Sequence, residues 1–127
     1  MATLGARLTS VAPGRVEIEL PFRVELTQQH GFLHAGVLAS VADSACGYAA
    51  LSLMPADAAV MSVEFKINLM KPAAGEGFRA VGTVVRAGRT VSVCTAEVRA
   101  VRDGSEALVA LMQGTMMQVR DRPGVSD

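Results

Sequence analysis

Hydrophobic and polar residues alternate along six stretches of the chain. These stretches are residues 6–11, 15–20, 62–69, 78–86, 91–101 and 107–119. Alternation with a period of two is typical of strands that bury one face and expose the other. Pro13-Gly14 marks a turn between the first two stretches, and Asp103-Gly104 is a strong hairpin signal between the last two. The pattern predicts two strands near the amino terminus and four in the second half.

A different pattern separates the two groups of strands. From Leu33 to Met54, 22 residues without proline consist mostly of Ala, Leu, Val, Ser and Gly, with Asp43 as the one formal charge. This composition favours a long helix, which Met54-Pro55 would close. Because small or apolar side chains occupy every face, we expect the helix to be covered on most sides. Its length would also fit a membrane span, but Asp43, with serines and glycines around it, argues against one.

The order of these elements is ββαββββ. Strands grouped on either side of a single helix imply an α+β fold, in which an antiparallel sheet packs on the helix. The 127 residues, 50% hydrophobic and 19% charged, suffice for one domain whose core needs no disulfide or metal. We assign residues 1–119 to that domain and expect residues 120–127, with two charges of each sign and Pro123-Gly124, to form a flexible tail.

Charge and cysteine content narrow the class of partner and the compartment. Twelve Lys and Arg balance twelve Asp and Glu without a basic stripe, which argues against nucleic acid or an anionic membrane as the main partner.

Cys46 and Cys94 lie in separate apolar stretches and predict buried thiols, not a disulfide or a zinc site. Residues 1–11 contain no apolar block of signal-peptide length, so we expect a cytoplasmic protein. The high hydrophobic content for this size predicts an apolar surface shared with another subunit.

Asp43 is the first candidate for chemistry. A carboxylate in a helix that otherwise lacks charge is costly to bury, so it needs a partner or a function unless it lies on a wet edge of the helix. His34 lies near the predicted helix start, where free backbone N–H groups can stabilise a developing negative oxygen. At the standard helical rise, His34 and Asp43 are about 13.5 Å apart along the axis. One site can use both only if two chains meet there.

The other motifs give weaker evidence for a chemical site. His30 and His34 have the spacing of a metal-binding pair, but Gly31 follows His30, the predicted helix begins only near Leu33, and no third ligand is evident, so we predict no metal site. Gly75-Glu76-Gly77 lacks the third glycine of a dinucleotide-binding loop, and the chain contains no G-x-S-x-G nucleophile motif. These patterns leave Asp43 and the helix start as the candidate chemical groups.

Three segments together resemble one family. They are Gln28 to Asp43, QQHGFLHAGVLASVAD; Ser62 to Pro72, SVEFKINLMKP; and Ala87-Gly88-Arg89. The combination is similar to the PaaI-like hotdog-fold thioesterases, which include the 4-hydroxybenzoyl-CoA and phenylacetyl-CoA type enzymes, and the resemblance covers about residues 8–119. It implies the hotdog fold, in which the sheet wraps around the long helix. It also implies hydrolysis of an acyl-CoA thioester by a homodimer joined edge to edge through its sheets, with dimers pairing into tetramers and no metal or redox cofactor.

The resemblance assigns catalytic roles to residues of the first two segments. It implies that Asp43 is the catalytic carboxylate, acting as nucleophile on the thioester carbonyl or as general base for water. The Ala35 backbone N–H takes the place of the oxyanion donor, and Gly36 lets the chain approach closely. Gln28 corresponds to a side chain that orients the thioester or the water, and Ser62 to a hydroxyl that positions the carboxylate.

The resemblance also assigns binding and structural roles. Arg89 and Thr90, and with them Lys71, fall where relatives bind the coenzyme A phosphates, a role suited to cationic side chains and turn N–H groups. His34 is implied to be a structural or orienting residue and not the acid-base group. Many relatives have His-Gly-Gly where this chain has His-Ala-Gly, so a positive φ at residue 35 would strain the alanine.

Two other functions remain open on the same fold. A binding module would hold an acyl-CoA or acyl-carrier ester without releasing its thiol. A hydratase acting on enoyl-CoA would resemble members with a His a few residues after the helix Asp, and no His follows Asp43 here. The sequence does not reveal the acyl group, although we expect Tyr48 and Leu51 to line its pocket.

Overall fold

One helix and six strands form the structure over residues 1–121, 123 and 124, which are the residues that the computed structural model describes. The elements are β1 (Arg7–Ala12), β2 (Arg15–Pro21), α1 (Ala35–Leu51), β3 (Ala59–Leu69), β4 (Gly77–Ala87), β5 (Val91–Arg102) and β6 (Ser105–Val119). Short 3-10 turns lie at Ala2–Leu4 and Val24–Leu26. The predicted order ββαββββ and the α+β class are confirmed.

The six strands of the described chain form one antiparallel sheet with the order β1-β2-β4-β5-β6-β3. β1 and β3 are therefore its edges. The alternation that predicted the strands also determines the core. In β5 every second residue from Ser92 to Ala100 is buried, and in β2 Val16, Ile18 and Leu20 are buried.

Helix α1 packs on one face of this sheet and contacts β2, β3, β4, β5 and β6. The distance between the two is set by Gly82 in β4, because a Cβ on this residue would overlap the backbone of Ala45 and Cys46. A glycine at this position lets the strand approach the helix backbone closely. Ala42, Ala45 and Ala49 of the helix are fully buried against the sheet. The single helix held within one sheet is the hotdog arrangement that the resemblance implies.

The helix is shorter at both ends than the predicted range 33–54. At its start, His34 is extended and its side chain accepts the Gly36 N–H (2.8 Å), a local cap. At its end, the Ser52 hydroxyl donates to the Ala49 carbonyl (2.6 Å) and accepts the N–H of Gly14 (2.8 Å). The end of the helix is therefore also held by a residue far away in the sequence. No helix among the described residues is long and apolar enough to cross a bilayer.

One stripe of the helix is not covered by the sheet. Gly36, Ser40 and Tyr48 are exposed along it, and Asp43 and Ser44 are half-buried. The helix is therefore covered on most sides, as expected, and open along this stripe. The reason is that β3 ends the sheet here, so the described chain supplies no further strand to cover the helix.

The carboxyl-terminal end of the sheet is tied to the loop before β3. Arg120 donates two hydrogen bonds to the Asp57 carboxylate, at 2.9 and 3.0 Å. These hydrogen bonds hold the pKa of Asp57 below its ordinary value. Of the predicted flexible tail, residues 122 and 125–127 lie outside the described residues.

The two cysteines are buried thiols, as predicted. Cys46 lies on the helix and Cys94 on β5, and neither forms a disulfide. Burial raises the pKa of Cys46 to about 12 and that of Cys94 to about 11. Both thiols are therefore held in the protonated form in the folded chain.

This burial predicts that neither cysteine reacts with a disulfide reagent at about pH 8 until the protein unfolds, because the thiolate is the reactive form. A thiol titration before and after denaturation checks this, and fast labelling of the native chain would contradict it.

The raised pKa values also make the stability of the folded chain depend on pH. Unfolded thiols ionise near pH 9.0, so the contribution of the two buried thiols to stability is fully present below that pH. It is lost as the pH rises toward the raised pKa values of the folded chain.

Candidate active site

Asp43 lies midway along α1, on the open stripe. Its carboxylate is half-buried, and Oδ1 accepts a hydrogen bond from Ser62 Oγ of β3 (2.6 Å). Ser62 Oγ also lies 3.4 Å from Met116 Sδ. The carboxylate thus has the partner that its cost of burial requires, and it borders a hollow.

His34 caps the start of the helix. Its backbone is extended (φ −64°, ψ 139°), and its ring Nδ1 accepts the Gly36 N–H (2.8 Å). A nitrogen that accepts a hydrogen bond carries no proton, so the neutral ring has its proton on Nε2. Gly36 permits this cap, since a Cβ there would lie 3.1 Å from His34 Nδ1. The histidine therefore has a structural place, and the Gly36 N–H is already used.

The Ala35 N–H is left free by this cap. Ala35 is the first residue of α1, where N–H groups have no intrahelical acceptor. The next two N–H groups, of Gly36 and Val37, bond to His34 Nδ1 and to the His34 carbonyl (2.9 Å). No acceptor lies on the Ala35 N–H in the described part of the chain. Ala35 has no positive φ, so the strain considered for this alanine does not arise. The helix start offers one donor, reinforced by the positive end of the helix dipole.

Gln28 lies in the loop before the helix and lines the same hollow as Ala35. Its backbone is fixed by a turn in which its N–H donates to Phe32 O (2.8 Å) and its carbonyl accepts the Gly31 N–H (3.0 Å). Its side-chain Oε1 accepts the His30 N–H. The Gln28 amide NH₂ is therefore the group that remains to contact a ligand.

Two separate hollows lie at the two ends of β3. One, of about 440 Å³, is lined by Gln28, Phe32, Leu33, Ala35, Leu38, Leu69, Met70, Lys71, Pro72 and Ala73. The other, of about 170 Å³, is lined by Asp43, Ser44, Gly47, Tyr48, Val60 and Ser62. Ala35 and Asp43 are about 12 Å apart along the helix axis at the standard rise. One chain therefore brings Asp43 to Ser62 and Gln28 to Ala35, but it does not bring the two pairs together.

The residues expected to bind coenzyme A also divide between the two ends of β3. Arg89 and Thr90 are exposed in the turn between β4 and β5. The Thr90 carbonyl accepts the N–H of Gln118 (2.7 Å), which pairs with Val60 at the Asp43 end of β3. Lys71 follows the other end, beside the Gln28 hollow. About 30 Å of extended strand separates the turn from Lys71, so one chain does not bring all three together.

A larger hollow, of about 640 Å³, opens elsewhere on the sheet, with Arg79 and Glu106 among its lining residues. Arg79 donates to both carboxylate oxygens of Glu106 (2.7 and 3.0 Å) and to Glu17 (3.3 Å). These hydrogen bonds lower the pKa of Glu106 and raise that of Arg79. Because these charges already neutralise one another, we place no chemistry in this hollow.

Three residues of the Asp43 hollow, Ser44, Gly47 and Val60, escaped the sequence analysis. Gly47 follows Asp43 by four positions, one helical turn on the same face, so its spacing could have revealed it. Val60 could not be found that way, because the position of β3 beside the helix depends on the strand order. Tyr48 lines this hollow, whereas Leu51 does not.

Comparisons with known proteins agree with this arrangement. The family model described as the thioesterase superfamily matches residues 30–107 of the chain. The structure is similar to the crystal structure of a thioesterase family protein from Silicibacter pomeroyi, with a TM-score of 0.94 and 55% sequence identity. That comparison covers 95% of this chain and 89% of the other.

Two further solved structures are similar at lower identity. A conserved protein from Pseudomonas aeruginosa is 35% identical, with a TM-score of 0.84 over 93% of this chain and 91% of the other. The E. coli PaaI protein from the phenylacetic acid degradation operon is 25% identical, with a TM-score of 0.82 over 93% of this chain and 82% of the other.

Proposed function

The chain belongs to the thioesterase superfamily and is a hydrolase, as its sequence resemblance predicted, and we propose that it hydrolyses an acyl-CoA thioester to the free acid and coenzyme A. The proposal depends most on Asp43, a half-buried carboxylate held at 2.6 Å by Ser62 and facing a hollow. Thioester hydrolysis needs a carboxylate that reaches the carbonyl carbon or a water beside it. It also needs a donor for the carbonyl oxygen as that oxygen becomes negative. We assign the first role to Asp43 and the second to the Ala35 N–H.

These two groups can act on one bond only when they come from different chains, because about 12 Å of helix separates them in one chain. The minimal active unit in this proposal is a homodimer. Asp43 of one copy faces the Ala35 N–H and the Gln28 amide of the second copy across the bound thioester. We further propose that such dimers pair into tetramers, as the family resemblance implies.

The reaction follows from these placements. The thioester oxygen accepts the Ala35 N–H, and the Gln28 amide orients the thioester or the water. The Asp43 carboxylate attacks the carbonyl carbon, to give an anhydride that water opens, or it takes a proton from an attacking water. In both routes the C–S bond breaks, and the coenzyme A thiolate leaves and takes up a proton. These steps require neither a metal nor a redox cofactor, and the unpaired buried cysteines suit a reducing compartment, which we propose is the cytoplasm.

A panel of acyl-CoA esters tests the proposal. Aryl, short aliphatic and long aliphatic esters are each incubated with the protein, and the released thiol is trapped and followed optically. Release well above the uncatalysed rate for at least one ester supports hydrolysis. Tight binding of an ester without thiol release would support a binding module instead and overturn the proposal.

The Ser62 hydroxyl is expected to matter through the carboxylate that it holds. Ser62→Ala removes one hydrogen bond to a charged group, which is worth about 1.5–3 kcal/mol, so we expect kcat to fall by about tenfold or more with little change in KM. Ser62→Thr keeps the hydroxyl and is the matched control. An alanine variant as active as the threonine variant would remove Ser62 from the mechanism.

Arg89 is expected to act on binding alone. Because the coenzyme A phosphates do not change during the reaction, Arg89→Ala should raise KM by about fivefold for every acyl group and leave kcat unchanged. Arg102→Ala, an exposed arginine at the opposite end of β5, is the matched control. A change in kcat, or an equal change in both variants, would contradict a phosphate-binding role.

A further inference from the structure

Helix α1 contains two glycines, Gly36 and Gly47, and the packing of the chain explains only the first. A Cβ at Gly36 would lie 3.1 Å from His34 Nδ1 and disturb the helix cap. A Cβ at Gly47 would lie 3.9 Å from Val60 Cγ1, an ordinary contact, and would meet no other described atom within 4 Å outside its own stretch of helix. The φ of Gly47 is not positive, so its backbone suits any residue. Within the described chain, position 47 does not require a glycine.

A glycine at this position lowers the stability of the helix. Position 47 lies in the interior of α1, four residues before Leu51 at its end. Glycine loses more backbone freedom on folding than alanine does, so it lowers the folding equilibrium constant about fivefold at such a position. Alanine occupies positions 45, 49 and 50 of the same helix. A residue that opposes the local preference without a packing reason indicates a functional constraint.

The space above Gly47 belongs to the Asp43 hollow. Gly47 lies one turn after Asp43 on the same face of the helix, about 6 Å further along the axis. It is buried, and it lines the hollow of about 170 Å³ together with Tyr48 and Val60. A side chain at position 47 would therefore extend into the space beside the carboxylate.

The volume of this hollow indicates which part of a thioester it holds. In the proposed reaction the carbonyl carbon lies about 3–3.5 Å from the attacking atom at Asp43. The group above Gly47 is then bonded to the carbonyl carbon or lies next to it. A cavity of about 150 Å³ can bind benzene, so about 170 Å³ suits a ring or a branched group. The pantetheine arm is too long for this volume, so we assign the hollow to the acyl side.

We propose that Gly47 is a specificity-determining residue, which leaves room one turn after Asp43 for acyl groups with a ring or a branch next to the thioester carbonyl. This inference rests on the proposed function for its substrate, an acyl thioester. Straight acyl chains are narrower beside the carbonyl and depend less on the missing side chain. The helix is less stable with this glycine, and the hollow is wider.

Two pairs of esters with equal carbon counts test the proposal. Isobutyryl-CoA is compared with butyryl-CoA, and benzoyl-CoA with heptanoyl-CoA, in the parent chain, Gly47→Ala and Gly47→Val. One added methyl group in a pocket changes specificity by about tenfold or more. We expect Gly47→Ala to lower kcat/KM for the branched and ring esters about tenfold relative to their straight partners, and Gly47→Val to lower it further. An equal loss for all four esters would place the pantetheine arm above Gly47 and overturn the proposal.

The melting temperature shows whether a loss of activity reflects damage to the fold. Because alanine favours the helix and has room at position 47, we expect Gly47→Ala to raise the melting temperature by about 3 °C. Sedimentation of the variant should match that of the parent. A lower melting temperature or a weaker oligomer would mean that the glycine serves packing or a contact between copies, and would overturn the proposal.

Ser40→Ala is the matched control. Ser40 is exposed on the open stripe of the same helix and lines neither the Asp43 hollow nor the Gln28 hollow. Alanine favours the helix there too, but the substitution adds nothing to the hollow. The control should keep the ester selectivity of the parent. A shift in selectivity equal to that of Gly47→Ala would attribute the effect to a stiffer helix and overturn the proposal.

Non-hydrolysable coenzyme A thioethers with the same four end groups separate this inference from the proposed reaction. If the parent releases thiol from no ester, the proposed function fails, but the affinities for these thioethers still report on the hollow. We expect Gly47→Ala to raise Kd about tenfold for the branched and ring thioethers and to leave the straight ones unchanged, measured by calorimetry. Unchanged relative affinities would overturn the assignment of Gly47.

Discussion

Asp43→Asn is expected to lower the rate of thiol release by at least about a hundredfold while the chain stays folded and sediments like the parent, since this is the low end for loss of a positioned acid-base group. Asparagine has nearly the same shape, and its oxygen can still accept the Ser62 hydroxyl that lies 2.6 Å from Asp43 Oδ1. The amide can neither attack the carbonyl carbon nor take a proton from water. Both routes of the proposed reaction therefore fail together.

The measurement is kcat for the best ester of the panel, with the melting temperature and the sedimentation of both proteins recorded beside it. Asp103→Asn is the matched control. Asp103 is an exposed aspartate with positive φ (49°) in the turn between β5 and β6, where asparagine is equally suited. The control should retain the turnover of the parent chain. If Asp43→Asn kept more than about a tenth of the parent rate, the assignment of the carboxylate would be wrong.

The strands were predictable because burial on one face forces a period of two on the sequence. β5 shows this most clearly, since its buried and partly buried residues alternate without interruption. The helix was predictable from composition, but its ends were not. His34 caps the start through the Gly36 N–H, and the hydroxyl of Ser52, just after the helix, accepts the N–H of Gly14. A partner as distant as Gly14 leaves no signal in a local pattern.

The residues of the candidate site likewise include some that the sequence pattern predicts and some that it does not. Asp43 stands out as the one charge in an apolar helix, and physical chemistry alone marks it as costly. Ser62 was found only through the family resemblance, because nothing in a strand pattern places its hydroxyl 2.6 Å from a carboxylate. β3 has the pattern of an ordinary strand until the strand order shows that it is an edge of the sheet. The sequence pattern reveals the elements, whereas the strand order decides which of them lie side by side.

Ala35→Pro is expected to lower kcat by about a hundredfold to a thousandfold, the cost of removing one oxyanion donor. Proline at position 35 removes the backbone N–H that is assigned to the oxyanion. The first position of a helix accepts proline well, because the N–H of that residue makes no intrahelical bond. The preceding residue must be extended, and His34 already is, at φ −64° and ψ 139°. The variant should therefore fold, and the loss should lie in kcat.

The proline ring also adds atoms beside the hollow, so bulk needs its own control. Ala35→Val adds about the same volume and keeps the N–H. We expect it to retain most of the parent kcat, with any loss well below that of the proline variant. Equal losses in the two variants would attribute the effect to crowding and leave the Ala35 N–H without a catalytic role. Thiol release under saturating substrate distinguishes these results.

Mixing the two inactive variants decides whether the site is shared between chains. In a mixed dimer of Asp43→Asn with Ala35→Pro, one site holds both substitutions. The other site combines the intact Asp43 of the proline chain with the intact Ala35 N–H of the asparagine chain. Random exchange makes half of the dimers mixed, and each of these has one working site, so activity should recover to about a quarter of the parent value. If both groups served the same site from one chain, mixing would restore nothing, because each chain would carry its own defect into every site it forms.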